Sequence, residues 1–238
     1  MTNLLKVELY KLKRFKFGYI AMIFLFVLGY LYGDSRLAAL PFDIVADTDT
    51  VFSSSVCDTS FVFIIAIVSA LFMGKDFSNH TICNEIKLGY SRFNVLLSRT
   101  IVVCAFSVLL HIIYVASVII GFSFLRGFDD SFLCVENVFW LLTVIIQLSA
   151  VICGVVLISF LTRKVSEAIA FSALYAALCC NILRNFLDTR LFTMSCFCFV
   201  QDRAENLALA AVIALITMIV FLAVTAFTFR ETLIKSVF

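Results

Sequence analysis

The chain has 238 residues, of which 63% are apolar and 14% are charged, and its formal net charge at pH 7 is +2. About a quarter of the residues in soluble domains are charged, so this composition, with a mean hydropathy of +1.10, excludes an ordinary soluble fold. A single proline and 27 phenylalanines favour long helices whose bulky side chains face lipid.

Residues 3–16 combine leucines at helical spacing with several basic residues. Leu5, Leu9 and Leu12 fall on one side of a helix, while Lys6 and Lys13 fall on another. We predict a basic amphipathic helix that lies in the cytoplasmic interface and leads directly into the first span. The alternative is a plain positive anchor for that span.

Apolar runs long enough to cross a membrane make up most of the remaining chain. A membrane helix needs about 20 apolar residues, and lipid leaves no alternative to intrahelical hydrogen bonds. The second and fifth of these runs are short. They can cross the membrane only if flanking charged side chains reach the membrane–water interface or if the helix is buried in a bundle. The six predicted spans cover about 17–33, 57–74, 98–125, 137–162, 167–184 and 206–229.

Basic residues are segregated between the two sides of these six spans. Thirteen of the 18 lysines and arginines lie in segments 1–16, 75–99, 163–167 and 230–238, while the opposite loops hold eleven of the 16 acidic residues. The positive-inside rule therefore predicts that both termini are cytoplasmic. We expect one multi-pass domain, residues 1–238, in the cytoplasmic membrane.

The polar stretch Gly74–Arg99 interrupts two long apolar runs on the basic side. Ile82 and Ile86 lie four residues apart and give a short helix one apolar face, and Gly89 is a natural residue to end it. The alternative is an ordinary interfacial connector. Candidate N-caps are Ser78, Asn79 and Thr81 for this helix, and Ser91 for the helix that follows.

This pattern, taken over the whole chain, resembles the permeases of the ABC-2 type exporter family, such as small permeases of peptide-antibiotic immunity or multidrug efflux systems. The resemblance implies an all-α integral membrane protein with six transmembrane helices, an N-terminal amphipathic elbow helix and a cytoplasmic coupling helix. It also implies an outer re-entrant segment, here 184–205, between spans five and six. The local motifs that carry it are Gly74–Phe77, Thr81–Ile82, Asn84 and Gly89–Arg92.

The resemblance implies that the polar stretch docks on an ABC ATPase at the cytoplasmic face. The sequence contains no phosphate-binding Gly-x-x-x-x-Gly-Lys-Ser/Thr loop, so ATP and Mg would be bound by that separate subunit and no cofactor by this chain. The expected ATPase-coupling residues are Asn79, His80, Thr81, Ile82, Asn84, Glu85, Ile86 and Lys87.

By the same resemblance, a second permease copy or a related chain would complete a cavity lined largely by spans two and five. The expected partners are thus an ABC ATPase, that second permease and the lipid bilayer, with no nucleic acid. Ordinary helix packing is the alternative for the residues placed on the cavity wall. These residues, spaced three and four apart, are Phe61, Ile65, Ser69 and Phe72.

The function expected from these observations is export of a hydrophobic or amphipathic substrate, such as a peptide antibiotic, a drug or a lipid-like molecule. Two alternatives remain: a non-transporting interaction or sensor subunit, and a membrane-embedded lipid-modifying enzyme. No catalytic constellation and no cysteine spacing typical of a metal site is visible. The runs 17–33, 59–74, 100–125, 137–162, 168–183 and 206–229 within these spans carry no Asp, Glu, Lys or Arg, which disfavours an ion-driven carrier.

Overall fold

A computed structural model describes residues 2–39, 48–56, 58, 61–79, 81–126, 134–178 and 207–234. All regular structure within these residues is helical, which confirms the all-α prediction for this part of the chain. The predicted re-entrant segment 184–205 lies outside the described residues. The helices are α1 (Thr2–Lys13), α2 (Lys16–Ala39), α3 (Thr48–Val56), α4 (Val62–Ser78), α5 (Thr81–Lys87), α6 (Arg92–Arg126), α7 (Val135–Thr162), α8 (Val165–Ala177) and α9 (Leu207–Ile234).

Four of these helices, α2, α6, α7 and α9, are long and apolar enough to cross a membrane. Helices α4 and α5 pass the same test together and form a fifth candidate that is bent by 56°. Helix α8 has 13 residues, which at about 1.5 Å per residue is shorter than a hydrocarbon core of about 30 Å. Within the described residues the structure therefore supports four to five candidate spans, and the count of six stays a prediction.

Helices α6 and α7 form the centre of the bundle. Helix α2 packs along α6, α9 packs along α7, and α4 contacts α6, α7 and α8. Half of the candidate span in α6 and 61% of that in α7 are buried, against 28% in α2 and 11% in α9. The two peripheral helices thus leave most of their apolar surface to lipid, as membrane solvation allows.

Small residues let α2 and α6 approach backbone to backbone. A Cβ atom on Gly33 would lie 2.5 Å from the carbonyl oxygen of Val118, and one on Gly121 would lie 2.6 Å from that of Tyr30. Gly29 and Gly33 form a small-x-x-x-small pattern on α2, and Ser117 and Gly121 form the same pattern on α6. This is the packing that membrane helices use when burial of apolar surface no longer drives association.

Helix α1 packs on the bundle through a face that includes one of the three predicted leucines, Leu12. Leu4 and Glu8 are buried, whereas Leu9 is 49% exposed. The spacing of four that joins Leu4 to Glu8 continues through Leu12, which is only partly buried and packs against the core. The predicted leucine face is thus divided between the core and the exposed surface, and the face that contacts the protein contains a carboxylate.

Helix α3 ties the predicted outer loop to the ends of α6 and α7. The side-chain amide of Asn137 donates a hydrogen bond to Asp49 at 2.8 Å, and the Phe52 ring packs edge-on against Trp140. This part of the predicted outer loop between the first two spans is helical over Thr48–Val56.

The close approach of α2 and α6 predicts a strong effect of side-chain size at Gly121. Gly121→Leu places a side chain where a backbone carbonyl lies 2.6 Å from the new Cβ, so the helices must separate. We expect a loss of about 1–3 kcal/mol or more in stability, measured as a lower melting temperature of the purified chain in detergent. Ala116→Leu, on the exposed side of α6, is the matched control, and equal melting temperatures for both variants would contradict this packing.

Candidate functional site

The bend between α4 and α5 is held by a local contact between Thr81 and Asp76. The Thr81 hydroxyl lies 2.9 Å from both the main-chain carbonyl oxygen and the carboxylate of Asp76. Helix α4 continues to Ser78, and the Asn79 amide still donates to the Lys75 carbonyl. Ser78 and Asn79 therefore end α4, and the side chain of Thr81 reaches back to α4.

The predicted end of α5 at Gly89 is confirmed. Gly89 has φ +88°, and its amide donates to the Ile86 carbonyl while the Tyr90 amide donates to the Glu85 carbonyl. These two bonds form a Schellman motif. The motif favours glycine because the residue at this position has a left-handed backbone conformation. The Ser91 side chain then accepts a bond from the Asn94 amide at 3.3 Å, which confirms Ser91 as the N-cap of α6.

Five charged side chains from four helices meet next to this bend, and we call them the ion cluster: Glu8, Lys11, Asp76, Glu85 and Arg99. The Arg99 guanidinium contacts Glu8 at 3.3 Å, Asp76 at 3.5 Å and Glu85 at 2.9 Å. Arg99 therefore joins α6 to α1, α4 and α5 through a single side chain.

Lys11 completes the ion cluster from α1. Its ammonium lies 2.7 Å from Glu8, 3.4 Å from Asp76 and 3.1 Å from Glu85. Each of the three carboxylates thus contacts both cations. The two independent ion bridges from α5, to Lys11 and to Arg99, fix its position relative to α1 and α6.

Burial makes the ion cluster costly to form and costly to break. The side chains of Glu8 and Arg99 are fully buried, and the cluster has three carboxylates for two cations. Glu8 Oε2 and Arg99 Nη1 are buried without a hydrogen-bond partner among the described residues. Removing one member of a buried ion pair costs about 3–5 kcal/mol because the partner charge stays uncompensated.

The pKa values of the two α1 residues reflect this arrangement. Burial raises the pKa of Glu8 above its usual value; Arg99 opposes the shift, and the Asp76 carboxylate adds to it. Burial acts to lower the pKa of Lys11, but the nearby Asp76 and Glu8 carboxylates outweigh it, so that pKa is raised. Burial thus favours the protonated form of Glu8 in the folded protein.

The structure describes seven of the eight predicted ATPase-coupling residues, and these seven fall into three groups. Glu85 and Thr81 act inside the protein, at the ion cluster and the bend. Ile82 is 4% exposed and Ile86 is partly buried against the core. His80 lies outside the described residues, and the remaining three, Asn79, Asn84 and Lys87, are exposed. The assignment of all eight to ATPase coupling stays a prediction.

Exposed apolar side chains surround the end of α5. Leu88 is 77% exposed, Phe93 is 58% exposed and Tyr90 is 36% exposed. Together with Asn84 and Lys87 we call these residues the α5 surface. Sequence analysis gave no role to the three apolar members, although they flank the predicted glycine stop.

The predicted cavity residues on α4 are buried within the chain. Phe61 stacks on Tyr114 with ring centroids 4.4 Å apart, and the Ser69 and Ser107 hydroxyls lie 3.1 Å apart. Phe72 packs against Phe15. Ile65 is likewise buried, so in this conformation the stripe serves helix packing, and its exposure to a shared cavity stays a prediction.

Sequence analysis missed four members of the ion cluster. Asp76 and Arg99 were counted as charges of a connecting segment, but Arg99 lies inside the candidate span Arg92–Phe124 and is fully buried. A signal was available in α1, where Leu4, Glu8 and Lys11 follow helical spacing and place a carboxylate between an apolar residue and a cation.

Comparisons with known proteins identify one family. A family model described as ABC-2 family transporter protein matches residues 4–181, a range that includes every member of the ion cluster and the whole α5 surface. No curated protein matches the chain significantly, and neither does any solved structure.

Arg99 is predicted to be the least replaceable member of the ion cluster. Arg99→Met leaves buried carboxylates without their main cation and should lower stability by about 3–5 kcal/mol, seen as a large drop in melting temperature or a failure to fold. Lys87→Met, which removes an exposed charge, should be close to neutral. Similar melting temperatures for the two variants would show that the cluster does not stabilise the bundle.

Glu8→Gln is predicted to be tolerated better and to change the pH dependence of stability. Glutamine keeps an oxygen to accept from Lys11 and Arg99 and removes the excess negative charge, so the change should stay below about 1.5 kcal/mol. Folding raises the pKa of Glu8 above its usual value of 4.5. The stability that Glu8 contributes to the folded state is therefore fully present below that usual value and is lost as pH rises through the folded-state pKa.

Melting temperatures of wild type and Glu8→Gln, measured at steps from pH 4.5 to pH 8, test this direction of the pH dependence of stability. The wild type should lose stability relative to the variant as pH rises. A gain relative to the variant would mean that folding lowers the pKa of Glu8 and would contradict the burial argument.

Proposed function

The chain belongs to the ABC-2 transporter family, and we propose that it is the membrane-spanning permease subunit of an ATP-driven exporter. The match over residues 4–181 is the observation that carries this proposal. Family membership makes the chain a multi-pass membrane component of a transporter and implies association with an ABC ATPase subunit. ATP and Mg would be bound and ATP hydrolysed by that subunit.

The α5 surface is the proposed docking site for the ATPase. Protein interfaces are enriched in aromatic and large apolar residues at their centre, surrounded by polar residues. Leu88, Tyr90 and Phe93 supply such a centre, and Asn84 and Lys87 supply polar neighbours. The positive-inside bias supports a cytoplasmic position for this surface.

The ion cluster gives the docking site a mechanical connection to the bundle. Glu85 on α5 contacts both Lys11 on α1 and Arg99 on α6, so α5 cannot shift alone without separating buried charges. A displacement imposed at α5 by closure of the ATPase would therefore move α1 and the start of α6 with it. Such rigid-body transfer is one of the established forms of switching between two packings.

Substrate passage would require α4 to tilt away from α6 beyond the ion cluster, while the Arg99–Asp76 contact keeps their ends at the cluster together. The Ser69–Ser107 contact and the Phe61–Tyr114 stack are the links that would have to separate. The side chains then exposed are mostly apolar, which suits a hydrophobic or amphipathic substrate such as a peptide antibiotic, a drug or a lipid-like molecule. A second copy of the chain or a related permease would complete that pathway, and export is the proposed direction.

Leu88 provides the sharpest test of the docking site. Leu88→Glu places a charge on a side chain that is 77% exposed, so folding should be preserved while a desolvated apolar contact is lost. We expect the variant to reach the membrane in normal amount, to retain at most about a tenth of the co-purifying ABC ATPase, and to lose transport, because an interface centre is worth about 2 kcal/mol or more.

Leu88→Met is the matched control and should retain the ATPase, because it keeps size and apolarity. Ser166→Glu adds the same charge at an exposed position in α8 and should retain it as well. Normal co-purification and transport with Leu88→Glu would rule out the α5 surface as the docking site. Co-purification of no ABC ATPase with the wild type would contradict the permease proposal itself.

A further inference from the structure

A cavity of about 400 Å³ lies between α4 and the junction of α1 with α2. Basic and aromatic side chains dominate its lining. The cations are Lys11, Arg14, Lys16 and Lys75, the aromatic residues include Tyr10, Phe15, Phe17 and Phe72, and Asp76 is the one acidic residue that lines it.

Three of these cations are not neutralised by the described part of the protein. Lys11 is already paired with carboxylates of the ion cluster. No carboxylate of the described residues lies within 4 Å of Arg14, Lys16 or Lys75. The cavity therefore has an excess of positive charge available to a ligand.

Aromatic rings hold two of the free cations in place. The Lys75 ammonium lies 4.6 Å from the Phe17 ring centroid and 5.1 Å from that of Phe15, and the Arg14 guanidinium lies 4.6 Å from the Tyr10 ring. These contacts orient the cations without neutralising them. A ligand at this site would meet positioned positive charge next to apolar ring surfaces.

The position of the cavity favours a ligand that is part of the membrane. Helix α2 begins its candidate span at Lys16, so the cavity lies where that span leaves the hydrocarbon region. Phe15 also lines a second, separate cavity of about 170 Å³, which lies between α1, α2 and α6. Met22, Phe106 and Leu109 make that second cavity mainly apolar.

We propose that the first cavity binds the phosphate of an anionic phospholipid headgroup, with Arg14, Lys16 and Lys75 around it. The apolar cavity beyond Phe15 would accommodate part of an acyl chain, which a free phosphate ion does not possess. Anionic lipids concentrate in the leaflet that faces basic juxtamembrane segments. The inference rests on the cytoplasmic orientation given under the proposed function, but it needs neither the ATPase nor transport.

The test uses the full-length chain, with the subunits that co-purify with it, in nanodiscs or detergent. Bound lipid is counted by native mass spectrometry, and melting temperature is followed during titration with phosphatidylglycerol, phosphatidylcholine or inorganic phosphate. We expect phosphatidylglycerol to be retained and to raise the melting temperature, while phosphatidylcholine and inorganic phosphate have little effect.

Variants assign the effect to the cavity. Lys75→Gln should weaken phosphatidylglycerol binding about fivefold, the usual contribution of one cation near an anionic surface. Lys75→Arg should restore binding, and Lys6→Gln, which removes an exposed charge on α1 outside both cavities, should leave it unchanged.

Three results would overturn the proposal. Equal weakening by Lys75→Gln and Lys6→Gln would mean that the lipid responds only to general positive charge. Equal stabilisation by phosphatidylcholine would remove the preference for an anionic headgroup. Competition by inorganic phosphate at similar concentration would assign the cavity to a soluble anion. None of these results depends on whether an ABC ATPase co-purifies, so the proposed function is tested separately.

Discussion

The contact of the Arg99 guanidinium with Glu8, Asp76 and Glu85 is the constraint on which the cytoplasmic end of the bundle depends. It draws α1, α4 and α5 onto α6 around two fully buried charged side chains, Glu8 and Arg99. Lys11 repeats the same three contacts from α1. Because the desolvation cost is recovered only with every partner in place, the cluster favours one relative position of the four helices.

Packing in the rest of the chain follows a different principle. Helices α2 and α6 meet through glycines and Ser117, where backbones touch, and α9 leaves most of its surface to lipid. Apolar burial does not favour one helix arrangement over another in a membrane, so steric fit positions these spans. The cytoplasmic end, by contrast, is positioned by charge, and it is there that an ATP-driven partner would act.

The sequence predicted what depends on composition and local chemistry. Apolar length located α2, α6, α7 and α9, and the stop at Gly89 and the cap at Ser91 followed from backbone preferences of glycine and serine. The ion cluster could not be predicted in the same way, since Glu8 and Arg99 are 91 residues apart and each looks like an ordinary interfacial charge. The face of α1 that packs on the protein could not be predicted for the same reason, because the leucine pattern does not show which side meets the bundle.

The central claim is that α5 and α1 move as one body because the ion cluster joins them. Spin labels on noncanonical amino acids at the exposed positions Lys6 and Cys83 would report the distance between these helices in the complex with its ATPase. The prediction is the same distance distribution without nucleotide and with ATP trapped, while a label pair from Cys83 to Ser166 on α8 shows a change. Separation of Lys6 from Cys83 on ATP binding would contradict it.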